Sequence, residues 1–163
     1  MRNLLGFYPG NISVYHLAFS HRSLALETDQ GIKLSNERLE YLGDAVLGAV
    51  VAELLFKKFP YKDEGFLTEM RAKIVSRENL KHLALKIGIN EFLKKDAGPG
   101  SYRSMYGDAF EALIGAIYID KGYRLARKFV LERIIRHHVD IHAMEVTENN
   151  FKSRILNWGQ REK

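Results

Sequence analysis

The sequence predicts an all-α protein, a helical bundle with a long central helix. Three observations point there. No segment keeps a period-two alternation of apolar and polar residues between hairpin turns, as strands would require. Ser, Asp and Asn residues stand just ahead of segments with helical periodicity, and Gly or Pro stands beyond several of them. Residues 39–56 form a strongly apolar stretch in which Gly43, Ala45, Gly48, Ala49 and Ala52 would let neighbouring helices pack closely. With 163 residues the chain is long enough for one domain with a proper core and a short appendage.

The elements follow in order. Ser13 or Ser20 is placed to cap a short helix near the N-terminus, and residues 28–35 read as a polar loop. Ser35 or Asn36 then caps the long helix, which opens on Glu37 and closes on Lys57 and Lys58 before Pro60. Those charges complement the helix dipole at both ends. Asp63 is placed to cap a helix over 64–75, and Ser76 another that runs to about Ile87, with Gly88 as its terminating residue. Residues 96–101, rich in Gly with one Pro, read as a loop. A helix over 104–120 ends at Lys121-Gly122, and another spans 123–142. Residues 145–150 read as a linker before a last short helix over 151–158.

Composition excludes some classes. There is no cysteine, hence no disulfide frame and no thiolate nucleophile or metal ligand. The longest apolar run, residues 45–56, is interrupted by Glu53 and is too short to span a bilayer. A cytoplasmic protein with no membrane attachment is expected. The net charge of +5 is unevenly placed: Lys152, Arg154, Arg161 and Lys163 against Glu162 give the tail +3 of it. A basic chain that still gathers acids on helix faces suits a polyanionic partner that approaches through bound metal. A mildly basic protein with no such partner is the plainer reading of charge alone.

Two acidic clusters stand out. The first is Asn36-Glu37-Arg38-Leu39-Glu40-Tyr41-Leu42-Gly43-Asp44, and the second is Asp108-Ala109-Phe110-Glu111. At about 100° per residue, Glu37, Glu40 and Asp44 share one helix face, and Asp108 and Glu111 share another. Apolar residues interleave with both clusters, and acids in apolar surroundings are costly without a partner. Glu40, Asp44, Asp108 and Glu111 are enough for one or two hard cations such as Mg²⁺ or Mn²⁺. Paired ions of this kind can activate a water and stabilise the leaving oxygen of a phosphodiester. A solvated acidic face is the other reading, and helical spacing alone leaves both open. Other hydrolase plans lack their parts: there is no Gly-x-Ser-x-Gly elbow, no His-Glu-x-x-His and no Walker loop. His138 and His142, with His137 and Asp140 nearby, have zinc spacing but no third ligand, so a solvated basic helix end is the better reading. His21-Arg22-Ser23 is better read as packing or capping than as a nucleophilic pair.

The stretch Asn36-Glu37-Arg38-Leu39-Glu40-Tyr41-Leu42-Gly43-Asp44-Ala45-Val46-Leu47 resembles the signature of the ribonuclease III family. Gly107-Asp108-Ala109-Phe110-Glu111-Ala112-Leu113-Ile114-Gly115-Ala116-Ile117-Tyr118 is similar to that family's second acidic motif. Ala18-Phe19-Ser20-His21-Arg22-Ser23 is similar to its early Ser-His-Arg-Ser segment. Glu64-Gly65-Phe66-Leu67 with Arg71, Ala72 and Val75 looks like its following helix. Residues 94–107 depart from the commoner pattern. The segment from Asn150 to Gln160 looks like the first helix of a double-stranded-RNA-binding domain.

The resemblance implies the all-helical endonuclease domain of ribonuclease III over residues 1–145, and a linker with the start of an RNA-binding domain over 146–163, as a piece of a longer bacterial enzyme. It implies a homodimer that hydrolyses double-stranded RNA with Mg²⁺, Mn²⁺ substituting, in RNA processing such as maturation of ribosomal RNA precursors. Glu40, Asp44, Asp108 and Glu111 would form the metal centre, with Asp44 and Glu111 as its catalytic pair. Glu37 and Glu64 would line the same valley, and Tyr41 would insert into the partner subunit. Arg71, Lys73 and Arg103 are candidate phosphate contacts. The alternatives are a mini ribonuclease III that lacks an RNA-binding domain, and a non-catalytic RNA-binding relative.

Overall fold

Two long helices that cross at a pair of glycines organise the molecule. The computed structural model describes residues 1–21, 26–27, 33–93 and 102–146. The expected loop over 96–101 and the expected helix over 151–158 lie outside the described residues. In chain order come α1 (Arg2–Leu5), α2 (Ile12–Ala18), α3 (Glu37–Lys58), α4 (Glu64–Ile74), α5 (Arg77–Lys86), a 3-10 turn (Ile89–Glu91) and α6 (Tyr102–Lys128). A π-helical stretch (Phe129–Ile135), α7 (Arg136–His138) and a final helical stretch over 141–146 complete the described chain. The all-α reading therefore holds. The polar loop expected over 28–35 overlaps one small exception. Leu26–Glu27 pairs antiparallel with Lys33–Leu34, a ladder too short to leave an alternation in the sequence.

The α3–α6 crossing depends on having no side chains there. A Cβ at Gly43 would overlap the carbonyl of Glu111, and a Cβ at Gly115 would overlap the carbonyl of Leu39. The two backbones are thus in direct contact, and only glycine permits it. From this crossing Leu39, Val46, Leu47, Val50, Val51 and Leu55 of α3 run along one buried face. Residues 112–117 of α6 are buried without a break, so the middle of α6 is enclosed on all sides. The sequence suggests that place for α3, whose run is as apolar. Instead α3 leaves Tyr41, Ala45, Ala49 and Phe56 exposed.

Local signals set most of the boundaries. The Asp63 side chain accepts the Phe66 N–H at 2.8 Å, and Ser76 Oγ accepts the Asn79 N–H at 3.3 Å, as capping predicts. Gly88, with φ of 84°, follows the end of α5. Gly122, with φ of 77°, breaks the long run from Tyr102 to Lys128 where the sequence placed a helix end. Three assignments differ. Asn11, not Ser13, caps α2 by accepting the Ser13 N–H at 3.1 Å. Asn36 makes no cap; its buried side chain donates to the Ala18 carbonyl at 3.3 Å, and Ser35 Oγ accepts the Glu37 N–H instead. The helix expected over 123–142 ends at Val139, whose extended backbone lets Asp140 cap the last stretch through the Ala143 N–H at 2.9 Å.

Asp120, near the far end of α6, ties the N-terminal segment down. It accepts the Gly10 and Asn11 N–H groups at 2.9 and 2.8 Å and the buried Tyr15 hydroxyl at 2.8 Å. Burial pushes its carboxyl up, but hydrogen bonds from Gly10, Tyr15 and Asn11 outweigh that and hold it below its ordinary value. This anchor seats α2 on α6. The Asn36 N–H then donates to the Ser20 carbonyl at 2.9 Å, which joins the end of α2 to the start of α3. His21 and the first turn of α3 are thereby delivered to one place.

Candidate metal centre

That place is a cavity of about 480 Å³ between α3 and α6. Glu40 and Asp44 reach it from α3, on either side of the Gly43 crossing, and Asp108 and Glu111 reach it from α6. Glu37 and Tyr41 line it too, so five of the six acids singled out in the sequence share one cavity with Tyr41. The glycine contact is the cause. With the backbones touching, side chains within about two turns of the crossing can face each other across a short gap.

Glu64 is the exception. It accepts the Thr68 hydroxyl at 2.8 Å and lines a separate cavity of about 360 Å³ with Phe56, Leu67 and Arg71, beside the far half of α3. Within one chain it does not join the acids. Lys73 pairs with Glu69 at 3.6 Å on another surface, and the Arg103 side chain lies outside the described residues. Neither Arg71 nor Lys73 lines the acid cavity.

The electrostatics show what the cavity lacks. Burial pushes the Glu111 carboxyl up to about 8, the charges of Asp44, Glu40 and Asp108 add to the rise, and Arg77 opposes it. Four carboxyls on two helices therefore feel one another. As placed, no three Asp, Glu or His side chains among the described residues are close enough to hold an ion. Mutually repelling acids are expected to stand apart until a cation draws them in. The donors are all carboxylate oxygens, which suits a hard divalent ion and not a thiolate-loving one. On donor chemistry, and because the charges of Asp44, Glu40 and Asp108 add to the rise at Glu111, the four carboxyls fit Mg²⁺ or Mn²⁺.

Three further cavity residues were not read as such in the sequence. His21 and Asn36 are buried and face the acids. Their motif was visible, but capping and packing explained it locally. Arg77 enters from the first turn of α5 and gave no signal, because only the docking of α5 on α6 brings it there.

The zinc reading of the His137, His138 and His142 cluster fails on its surroundings. The break at Val139 takes His138 and His142 off a common helix, and His142 Nε2 lies 3.3 Å from Lys58 Nζ. Burial, then the charges of Lys86, His137, Arg133 and His82, hold His138 below its ordinary value. A site crowded with cations does not invite another.

Comparison with known proteins agrees with the motifs. The family described as Ribonuclease-III-like matches residues 11–138. Ribonuclease 3 of Bacteroides thetaiotaomicron is 47% identical over 98% of this chain and 52% of its own length. The nuclease domain of ribonuclease III from Campylobacter jejuni superposes with a TM-score of 0.74 at 30% identity, over 85% of this chain and 94% of that one. A second structure of that domain concerns flexibility in a region involved in dimer formation; it matches with a TM-score of 0.74 at 30% identity, over 84% and 95%. The helical bundle of this chain thus has the architecture of ribonuclease III nuclease domains. This chain belongs to the ribonuclease-III-like family. It spans about half the length of the first of these relatives. Among the described residues no helix is long and apolar enough to cross a membrane.

Proposed function

We propose that this chain is the nuclease domain of a cytoplasmic endoribonuclease that hydrolyses double-stranded RNA with Mg²⁺, Mn²⁺ substituting, in RNA processing such as maturation of ribosomal RNA precursors. The observation that carries the reading is the convergence of Glu40, Asp44, Asp108 and Glu111 in one cavity, with the Glu111 carboxyl pushed up to about 8. These four residues would hold the metal. When bound it would supply an activated water and charge stabilisation at the leaving oxygen. Glu111 retains its proton near neutral pH while no divalent cation offsets the charges of Asp44, Glu40 and Asp108, and gives it up when one does. Glu37, whose carboxylate accepts the Ser35 hydroxyl at 2.9 Å, stands at the cavity rim to order water or the ribose side of the substrate.

The test is incubation with long duplex RNA and with single-stranded RNA, with and without Mg²⁺. Cleavage of the duplex that stops in EDTA is the expected result. Cleavage in excess EDTA would exclude the metal. A folded protein that cuts neither RNA in Mg²⁺ or Mn²⁺ would favour the non-catalytic relative.

A duplex has two antiparallel strands, and a twofold pair of sites suits them. The open face of α3 supplies the surface for a homodimer. Tyr41 is 82% exposed and Phe56 71%, with Ala45, Gly48 and Ala49 between them. A twofold axis near Gly48 runs two copies of α3 antiparallel and sets Tyr41 of one against the Phe56 cavity of the other. That cavity, walled by Ala52, Leu55 and Leu67, is the socket for the ring. Glu64 lines the same socket, so each dimer site would receive Glu64 from the second copy, which accounts for its distance from the acids within one chain. Tyr41→Asp places a charge in the socket and is expected to give monomers in sedimentation. A parent protein that is already monomeric at tens of micromolar would exclude this interface.

A further inference from the structure

Arg77 is in an unfavourable place for a cation. It occupies the first turn of α5, directly after the capping Ser76, where the positive end of the helix dipole disfavours positive charge. Across the gap it meets acids: Arg77 lines the acid cavity, and its charge opposes the rise at Glu111. Among the described residues it is the only Lys or Arg lining that cavity, against Glu37, Glu40, Asp44, Asp108 and Glu111.

The backbone of Arg77 packs on α6, and the residue is exposed. The Arg77 carbonyl packs against α6 at Gly107, 3.7 Å from where a Cβ would stand, one residue before Asp108. The Arg77 residue as a whole is exposed at the cavity mouth. A fixed root and an open mouth allow the guanidinium to turn inward to carboxylates or outward to an incoming anion.

We propose that Arg77 is the resident cation of the acid cavity, balancing the carboxylates in the metal-free protein and binding a substrate phosphate once metal is present. The inference rests on the reading of the cavity as a metal-dependent ribonuclease site and deepens it by naming a substrate-binding residue. The logic is competition. Arg77 and a divalent ion draw on the same carboxylates, so each weakens the hold of the other. An entering metal repels the guanidinium and frees it at the mouth. There its planar fork matches two oxygens of a phosphodiester, which also carries negative charge that the acids would otherwise repel.

Competition makes the two effects of removing the charge opposite in sign, which a disturbed fold would not do. The test measures Mn²⁺ binding by calorimetry, without RNA, for the parent, Arg77→Gln and Arg77→Lys, and then KM and kcat on long duplex RNA at saturating Mg²⁺. Arg77→Gln is expected to bind Mn²⁺ about tenfold tighter, while KM for RNA rises about tenfold and the loss falls on KM more than on kcat. Arg77→Lys is expected to return Mn²⁺ affinity to the parent value but to recover KM only in part, because an ammonium lacks the fork. Unchanged or weaker Mn²⁺ binding in Arg77→Gln, beside clear binding in the parent, overturns the role of Arg77 and leaves the metal site standing. No Mn²⁺ binding to any of the three proteins overturns the metal reading and this inference with it.

Discussion

Glu111→Gln is expected to abolish duplex cleavage, by ~10³-fold or more, while making the metal-free protein more stable above neutral pH. The two effects share one cause. Glu111 is raised from 4.5 to about 8, first by burial and then by Asp44, Glu40 and Asp108. A carboxyl whose folded value lies above its unfolded value favours folding at low pH. That contribution is complete below about 4.5 and is lost as pH rises through about 8. The metal-free parent should therefore lose stability across that window and change little beyond it. Glutamine keeps the shape, removes the proton, and so removes this slope. Divalent metal acts in the opposite direction. It favours the ionised carboxylate, so Mg²⁺ should raise the melting temperature of the parent more at pH 8 than at pH 5.5, and hardly at all in Glu111→Gln. Melting curves at the two pH values, with and without Mg²⁺, check this. A parent with the same pH slope as Glu111→Gln would mean that the carboxyl is not strained by its neighbours. Near-parental turnover in the variant would mean that the catalytic assignment is wrong.

Gly43→Ala is expected to be the most damaging single methyl in the chain, with Gly115→Ala close behind. Each added Cβ would overlap a backbone carbonyl of the opposite helix, Glu111 for one and Leu39 for the other. Backbone at a helix crossing cannot give way as a flexible side chain can. The helices must separate, at roughly 3 kcal/mol or more. For a chain of this size that lowers the melting temperature by roughly 6–12 °C. Separation also pulls Glu40 and Asp44 away from Asp108 and Glu111, so any folded fraction should bind Mn²⁺ poorly. Gly65→Ala is the control, since a Cβ there meets only the Asp63 carboxylate at an ordinary 3.6 Å. It lies in the first turn of α4 and should gain up to ~1 kcal/mol from helix propensity. If Gly43→Ala melts with the parent, the close crossing does not exist in solution.

The same contact marks the boundary between what is local and what is not. The caps at Asp63 and Ser76 and the helix ends at Gly88 and Gly122 were legible because each depends on one side chain or one backbone angle within a turn of itself. The acid pairs were legible for a like reason, since helical spacing places Glu40 with Asp44 and Asp108 with Glu111 on common faces before any folding. Side chains with two local uses were less legible: Asn36 reads as a cap but spends its amide on Ala18. The break at Val139 was missed because the apolar spacing continues across it.

Tertiary structure alone decided which helix is enclosed. Both α3 and α6 are apolar enough for the role, but α6 is buried without a break over residues 112–117, while α3 keeps the face from Tyr41 to Phe56 open. It also decided who enters the acid cavity: His21 and Arg77 come in from distant segments, and Glu64 stays out. The physical reason is that a sequence sets the face on which a side chain stands, but the distance between two faces is set where the helices touch. Here that distance is set by the Gly43–Gly115 contact, between residues 72 positions apart in the chain.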